Sequence, residues 1–239
     1  DGGANHEKRE EVQQIFLDFL GEEKDTERRK TPGIHDVMYL GPNNRVQLIL
    51  LDTRFFRSEW VKDRVNKKRY RPVYNSERTM LGNTQWNWLE AQLKKPADIR
   101  IIASGIQVVN DEHGYECWGN FPLERDRLFR LIQKTKASGV LFVSGDRHFA
   151  ELSTMDGGVD YPMYDFTSSG LTHVAVDGMK SPNNKRIGKP FGGFNFGTIV
   201  VDWAGDEAAI AFRIHDVNGE VQFVHQIGLR ELQMNVNKN

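Results

Sequence analysis

The chain has 239 residues, 38% hydrophobic and 10% aromatic, with 32 basic against 33 acidic side chains and a formal net charge of −1. That size and composition suit a soluble globular protein with one large core or two small ones. Near-neutral charge gives no general attraction to nucleic acid or membrane, and no apolar run approaches the ~18 residues that span a bilayer. A single cysteine, Cys117, rules out an internal disulfide and a multi-cysteine zinc site, and beside Trp118 it reads as a packed small residue.

In chain order, a helix is expected over 6–20, with Ile15, Phe16, Phe19 and Leu20 on one side. The charged segment 22–30 reads as a solvated loop closed by Pro32-Gly33. Ile34 to Leu40 and Arg45 to Leu51 read as paired strands across the turn 41–44, the second ending in Asp52-Thr53-Arg54. Residues 57–78 form a basic insertion that includes Lys62, Arg64, Lys67, Lys68, Arg69 and Arg71. It is either a solvated loop or a device that steers anions. Apart from Tyr70 and Tyr74 it lacks the interleaved aromatics of a single-strand-binding groove, which argues against nucleic acid as a partner.

A helix over 85–93, capped by Asn83, ends before Pro96. A strand starting at Arg100 stops at Ser104-Gly105, a helix runs over 126–137, and the apolar run Val140 to Val143 stops at Ser144-Gly145. After Gly170 the chain reads as a loop through Gly197. Strands then follow at 198–201, 208–215 and 221–226, with a hairpin turn at 216–220. The pattern is α/β and finishes all-β.

The chemistry concentrates at the end of the 140–143 strand, where Gly145 is followed by Asp146 and His148. Side chains at the carboxyl end of such a strand face the crevice where α/β sheets bind ligands. Asp with His offers a hard oxygen and a borderline nitrogen, a mixed set suited to Zn, Mn or Fe more than to an all-protein Ca cage. On an extended segment i and i+2 share a side, which aims both at one cavity and turns Arg147 away. The other reading makes Asp146 a turn cap and His148 an interfacial histidine.

Taken in order, Leu51-Asp-Thr-Arg54, Gln85-Trp-Asn-Trp-Leu89, Ser144-Gly-Asp-Arg-His148 and Thr167-Ser-Ser-Gly-Leu171 resemble the alkaline phosphatase D (PhoD-like) family of the calcineurin-like metallophosphatase superfamily. The resemblance runs from the first residue to about Leu232, taken as one domain over 1–232 with a tail at 233–239. It implies part of a four-layer sandwich, two mostly β sheets with flanking helices. Only the later part of such an enzyme is matched: the chain opens at Asp1-Gly-Gly-Ala-Asn5, and the family's earlier metal-ligand blocks have no counterpart. Residues 1–239 are therefore expected to leave an apolar sheet face that packs on an upstream segment.

The resemblance further implies metal-assisted hydrolysis of a phosphodiester or phosphomonoester, with divalent or trivalent metal ions (Zn, Mn, Fe or Ca) as a dinuclear pair. Asp146 and His148 match the family's late ligand motif. Glu151 would orient His148 from behind, or else lie on the surface. Arg54 would meet the phosphoryl group with its guanidinium fork, or pair structurally with Asp52 or another carboxylate. Gln107 stands where related enzymes place a metal-binding histidine and is assigned a substrate or water contact. His113 in the following loop would serve there in its place, or else be solvent-exposed like most loop histidines. Asn195 and Phe196 line a pocket mouth or simply form a turn. Export from the cytoplasm is a further implication of the family. A non-catalytic scaffold and a nuclease-like phosphodiesterase are the competing readings.

Overall fold

The structure is a computed structural model that describes residues 2–41, 43, 45–66 and 68–234. Lys67 of the basic insertion, two residues of the 41–44 turn, Asp1 and most of the expected tail lie outside the described residues.

Among the described residues ten strands form two sheets. The larger has the order β1-β2-β3-β4-β6-β5-β7. Its members are β1 (Asp36–Leu40), β2 (Val46–Leu50), β3 (Ile99–Ala103), β4 (Val140–Ser144), β5 (Ala150–Met155), β6 (Met163–Ser168) and β7 (Arg186–Phe191). The smaller is an antiparallel meander of β8 (Asn195–Asp202), β9 (Ala209–Asp216) and β10 (Val221–Gly228), with β9 central. β2, β3, β4 and β6 run parallel, so their carboxyl ends share one edge. The expected hairpin of β1 and β2 is present, pairing Asp36 with Leu50 and Leu40 with Val46.

The central strands are apolar on both faces because both are covered. One face takes two helices, α3 (Gly82–Leu93) and α4 (Pro122–Thr135). Gln47 of β2 donates to the Gln92 carbonyl of α3 at 3.0 Å, and Phe129 of α4 lies 6.4 Å from Phe142 of β4. Glu124 joins the two helices: one carboxylate oxygen accepts from the Thr79 hydroxyl at 2.7 Å, the Met80 N–H at 2.7 Å and the Trp86 indole at 2.9 Å. On the other face the meander packs over β6, with Phe212 against Tyr164 at 5.8 Å and Phe166 at 5.5 Å. Helices, large sheet and small sheet are therefore three successive layers of the expected sandwich. Toward β1 the meander no longer covers that face. Met38 and Leu40 are exposed there, and Leu48 and Leu50 are only half-buried.

Several local expectations change. The first helix, α1, spans Arg9–Phe19, and a single turn, α2, spans Glu27–Lys30 within the charged segment. The apolar side of α1 faces solvent: Ile15 is 60% and Phe19 83% exposed, whereas Gln13 and Leu17 are buried. Asn83 does not cap α3, which begins one residue before it. The Thr79 hydroxyl instead accepts the Gly82 N–H at 2.8 Å. The fourth helix begins at Pro122, whose fixed φ suits a first helical position, rather than at 126. The presumed loop after Gly170 contains β7. It pairs only with β5, an edge position that tolerates Gly188 and Pro190. In the basic insertion Arg57 is buried, donating to the Gly2 carbonyl at 2.8 Å with its guanidinium 4.4 Å from the Trp60 ring. Lys62, Arg64, Lys68, Arg69 and Arg71 are exposed.

Candidate functional site

The shared edge of the four parallel strands gathers Asp52-Thr-Arg54 after β2, Ser104-Gly105 after β3, Gly145 to His148 after β4 and Ser169-Gly170 after β6. A crevice outside the carboxyl ends of parallel strands is where open α/β sheets bind ligands.

The turn after β4 is not extended. Asp146 and His148 both have left-handed backbones, at φ 62° and 60°. The alternation expected for an extended segment is therefore replaced by two residues in a region that side chains with a Cβ enter at a cost of roughly 1–2 kcal/mol. Surrounding bonds hold them there. The Ser169 hydroxyl accepts the N–H of Arg147 at 3.0 Å and of His148 at 2.8 Å, and the His148 carbonyl accepts the Ala175 N–H at 2.9 Å. Such strain persists where neighbouring structure over-determines it, and it clusters at functional sites.

Asp146 is exposed, and among the described residues no hydrogen bond or ion pair engages its carboxylate. The ring of His148 meets that of His173 edge-on at 4.8 Å. Arg147 turns inward as a structural residue, 5.0 Å over Tyr115 and 5.4 Å over Phe149, and burial holds its pKa below the ordinary arginine value. His173 is a neighbour that the sequence reading missed. Its signal was its place two residues after the Thr-Ser-Ser-Gly-Leu motif.

Beneath the turn lies a buried polar network. Glu151 on β5 accepts from Arg186 at 2.6 Å and from Gln107 at 2.7 Å. Gln107 also donates to Thr167 at 2.8 Å, and the Thr167 and Ser144 hydroxyls are 2.8 Å apart. The Ser144 hydroxyl donates to Asp165 at 2.6 Å, and Asp165 also accepts the N–H groups of Val108 and Val109 at 2.7 and 3.0 Å. Complete burial raises the Asp165 pKa, opposed by those three bonds. Glu151 is thus neither on the surface nor bonded to His148; its carboxylate serves Gln107 and Arg186. Gln107 is fully buried in the same network rather than facing a ligand.

On the β2 side, Asp52 is occupied by backbone. One oxygen accepts the N–H of Arg54 at 2.8 Å and of Phe55 at 2.9 Å, and the other accepts the Ile34 N–H at 3.0 Å. The Gln85 side-chain amide bonds both the N–H and the carbonyl of Asp52, each at 2.8 Å, which explains the glutamine of the Gln-Trp-x-Trp-Leu motif. Arg54 is left half-exposed, lining the same cavity as Gly105, with Glu116 at 3.9 Å as its ion-pair partner rather than Asp52.

Asn195 is a buried anchor that accepts from the Ser168 hydroxyl at 3.0 Å and donates to the Gly193 carbonyl at 2.7 Å. With Phe196 it lines a cavity of about 530 Å3 between the sheets, beside Ser144 and Ser168. His113 is buried rather than exposed, and burial together with the Arg147 charge lowers its pKa to about 3. Cys117 is fully buried, its thiol pushed up to about 11.

Among the described residues no three His, Cys, Asp or Glu side chains gather closely enough to hold a metal ion. The unbonded Asp146 carboxylate and the imidazole of His148 fit two positions around a Zn, Mn or Fe ion by donor type. A complete shell needs donors beyond these two.

These features define an α/β protein whose parallel strands end along one edge, where Arg54 follows β2, Asp146 and His148 follow β4 and His173 follows β6. The family description that matches is PhoD-like phosphatase, over residues 5–202, and the chain belongs to that family. It is 26% identical over 121 residues to alkaline phosphatase D of Bacillus subtilis (strain 168), covering 47% of this chain and 21% of that protein. A solved structure described as "Structure of PhoD" superposes with a TM-score of 0.56 at 18% identity, covering 81% of this chain and 44% of that one. The chain thus spans about a fifth of that curated relative and less than half of that solved chain.

Proposed function

We propose that the chain forms part of a metal-dependent phosphoesterase that hydrolyses phosphodiesters or phosphomonoesters. The observation that carries this reading is the pair Asp146 and His148, held in left-handed conformations just past the carboxyl end of β4 in a chain of the PhoD-like phosphatase family. Asp146 and His148 would hold a metal ion, which when bound polarises phosphoryl oxygens and lowers the pKa of a water. Ser169 fixes the backbone of the ligand turn through its two accepted N–H groups. Arg54 binds and orients the phosphoryl group, since a guanidinium matches two phosphate oxygens at once. Asp52 and Gln85 position Arg54, and the network of Gln107 and Glu151 keeps the floor of the crevice rigid.

Two donors do not complete a metal shell. The half-covered sheet face beside β1 and the exposed Ile15 and Phe19 of α1 support packing on a further segment of polypeptide that carries the rest. Export from the cytoplasm belongs to the same proposal, and cell fractionation tests it. Elemental analysis of the protein, dialysed without chelator, together with turnover of a bis-aryl phosphodiester and an aryl phosphomonoester, tests the function. Asp146→Asn and His148→Ala should each abolish stoichiometric metal and reduce turnover by orders of magnitude in the complete enzyme. Wild-type turnover in both variants at saturating metal would remove these residues from the site.

A further inference from the structure

A second cavity, of about 470 Å3, opens where α1 crosses the end of β2, and of its lining the phosphoryl chemistry proposed above uses Asp52 and Arg54 alone. Its walls are apolar: Val12 and Phe16 from α1 face Ile34, Leu51 and Phe55. Val12 is 52% and Phe16 38% exposed, so these are apolar surfaces that an occupant would remove from water. The size lies within the range of small-molecule sites.

The same cavity is lined by two arginines, of which Arg54 is paired with Glu116 at 3.9 Å and Arg9, among the described residues, is not paired with an acid. His6 lines it as well, and Arg9 rests 4.9 Å over the Phe55 ring. The one acid in the lining, Asp52, has its carboxylate taken up by three backbone N–H groups. An apolar trough with a cationic rim complements an anion that carries a hydrocarbon group. The cavity also adjoins the candidate site. Gly105 lines it, and the Gly105 carbonyl lies 3.7 Å from the point where a Cβ on Gly145 would stand, next to Asp146. Gly105 therefore joins the cavity that Arg54 lines to the turn that carries Asp146.

We infer that this cavity receives the organic group of the ester and that the group is apolar, an alkyl or aryl chain lying between α1 and Leu51 while its phosphate sits at Arg54. The phosphate end of this inference rests on the phosphoesterase reading; the apolar end rests on the cavity alone.

Binding of inorganic phosphate, butyl, hexyl and octyl phosphate and 1-octanol to the purified protein, measured by calorimetry below any micelle-forming concentration, tests it. Affinity should rise along the alkyl series by up to about fourfold per methylene, the fold-change that corresponds to burying one CH2. Val12→Asp and Phe16→Ser, both at partly exposed positions, should flatten the series. Phe19→Ser, on the same helix but outside the cavity, should leave it as steep as in the wild type. A flat wild-type series alongside measurable phosphate affinity would overturn the inference, as would equal flattening by Phe19→Ser. Octanol binding that Val12→Asp abolishes, with no affinity for any phosphate, would keep the apolar cavity and overturn the placement of the phosphate at Arg54.

Discussion

Replacing Asp146 and His148 separately by Gly and by Ala tests whether the turn after β4 holds strain for function. Both residues sit near φ 60°, and Ser169 and Ala175 bond the backbone on either side, so the turn has no easy route to relax. In the left-handed region a Cβ costs roughly 1–2 kcal/mol that glycine avoids. Glycine gives back about 0.5–1 kcal/mol through the greater freedom of its unfolded chain. Each Gly variant should therefore exceed its Ala counterpart by up to about 1.5 kcal/mol, and by about 0.75 kcal/mol at the midpoints. Aspartate should fall between the two, because its short polar side chain tolerates the region. Urea unfolding measures this as a shift in midpoint at constant slope. Both Gly variants should lose metal while folding at least as stably as the Ala variants. Ala variants as stable as the Gly variants at both positions would refute the strain, and with it the structural argument for placing the site on this turn.

Three further outcomes follow from the buried groups. Glu151→Gln leaves Arg186 without its buried carboxylate and should destabilise by about 3 kcal/mol in urea unfolding. A loss under about 1 kcal/mol would show that the pair is dispensable. His113 is held neutral in the fold, with a pKa near 3 against 6.5 for the ordinary side chain, so between those values the unfolded chain binds more protons. Its contribution is complete above about pH 6.5 and is lost as pH falls toward 3, with a slope of up to about 1.4 kcal/mol per pH unit. His113→Gln should flatten that slope; an unchanged slope would place the proton uptake elsewhere. Cys117, buried with its thiol raised to about 11, should resist alkylation at pH 8 until denaturant is added. Rapid native alkylation would contradict its burial.

Much of the architecture was legible because apolar runs closed by Gly or by an acid are strong strand signals. The strands ending at Asp52, Gly105 and Gly145 fall where their patterns put them. β7 was not legible, since Gly188, Lys189 and Pro190 read as a breaker unless the strand is known to lie at an edge. The α1 face was misread for a different reason. Periodicity finds an apolar stripe but cannot say whether this chain or something else covers it.

At the site, the residue types were readable and their contacts were not. The spacing of Asp146 and His148 suggested a shared direction, whereas the backbone is left-handed at both. Glu151 is three residues from His148 in sequence, yet its partners Gln107 and Arg186 come from distant segments. Gln85 and Ser169 act on backbone atoms of other segments, an action that no local pattern encodes.

The meander and the parallel sheet assemble on different terms. The strands β8, β9 and β10 pair with immediate chain neighbours, Val201 with Ile210 and Ala211 with Gln226. In the large sheet, by contrast, Val46 must find Ile99 and Arg100 must find Val140 before the crevice edge exists. Because contacts between distant residues form slowly, the meander should be an early structure during folding, with the aligned ends of β2, β3, β4 and β6 completed late. During that interval the apolar strands would be open to wrong pairing, so the yield of competent protein depends on conditions that slow aggregation while the crevice closes.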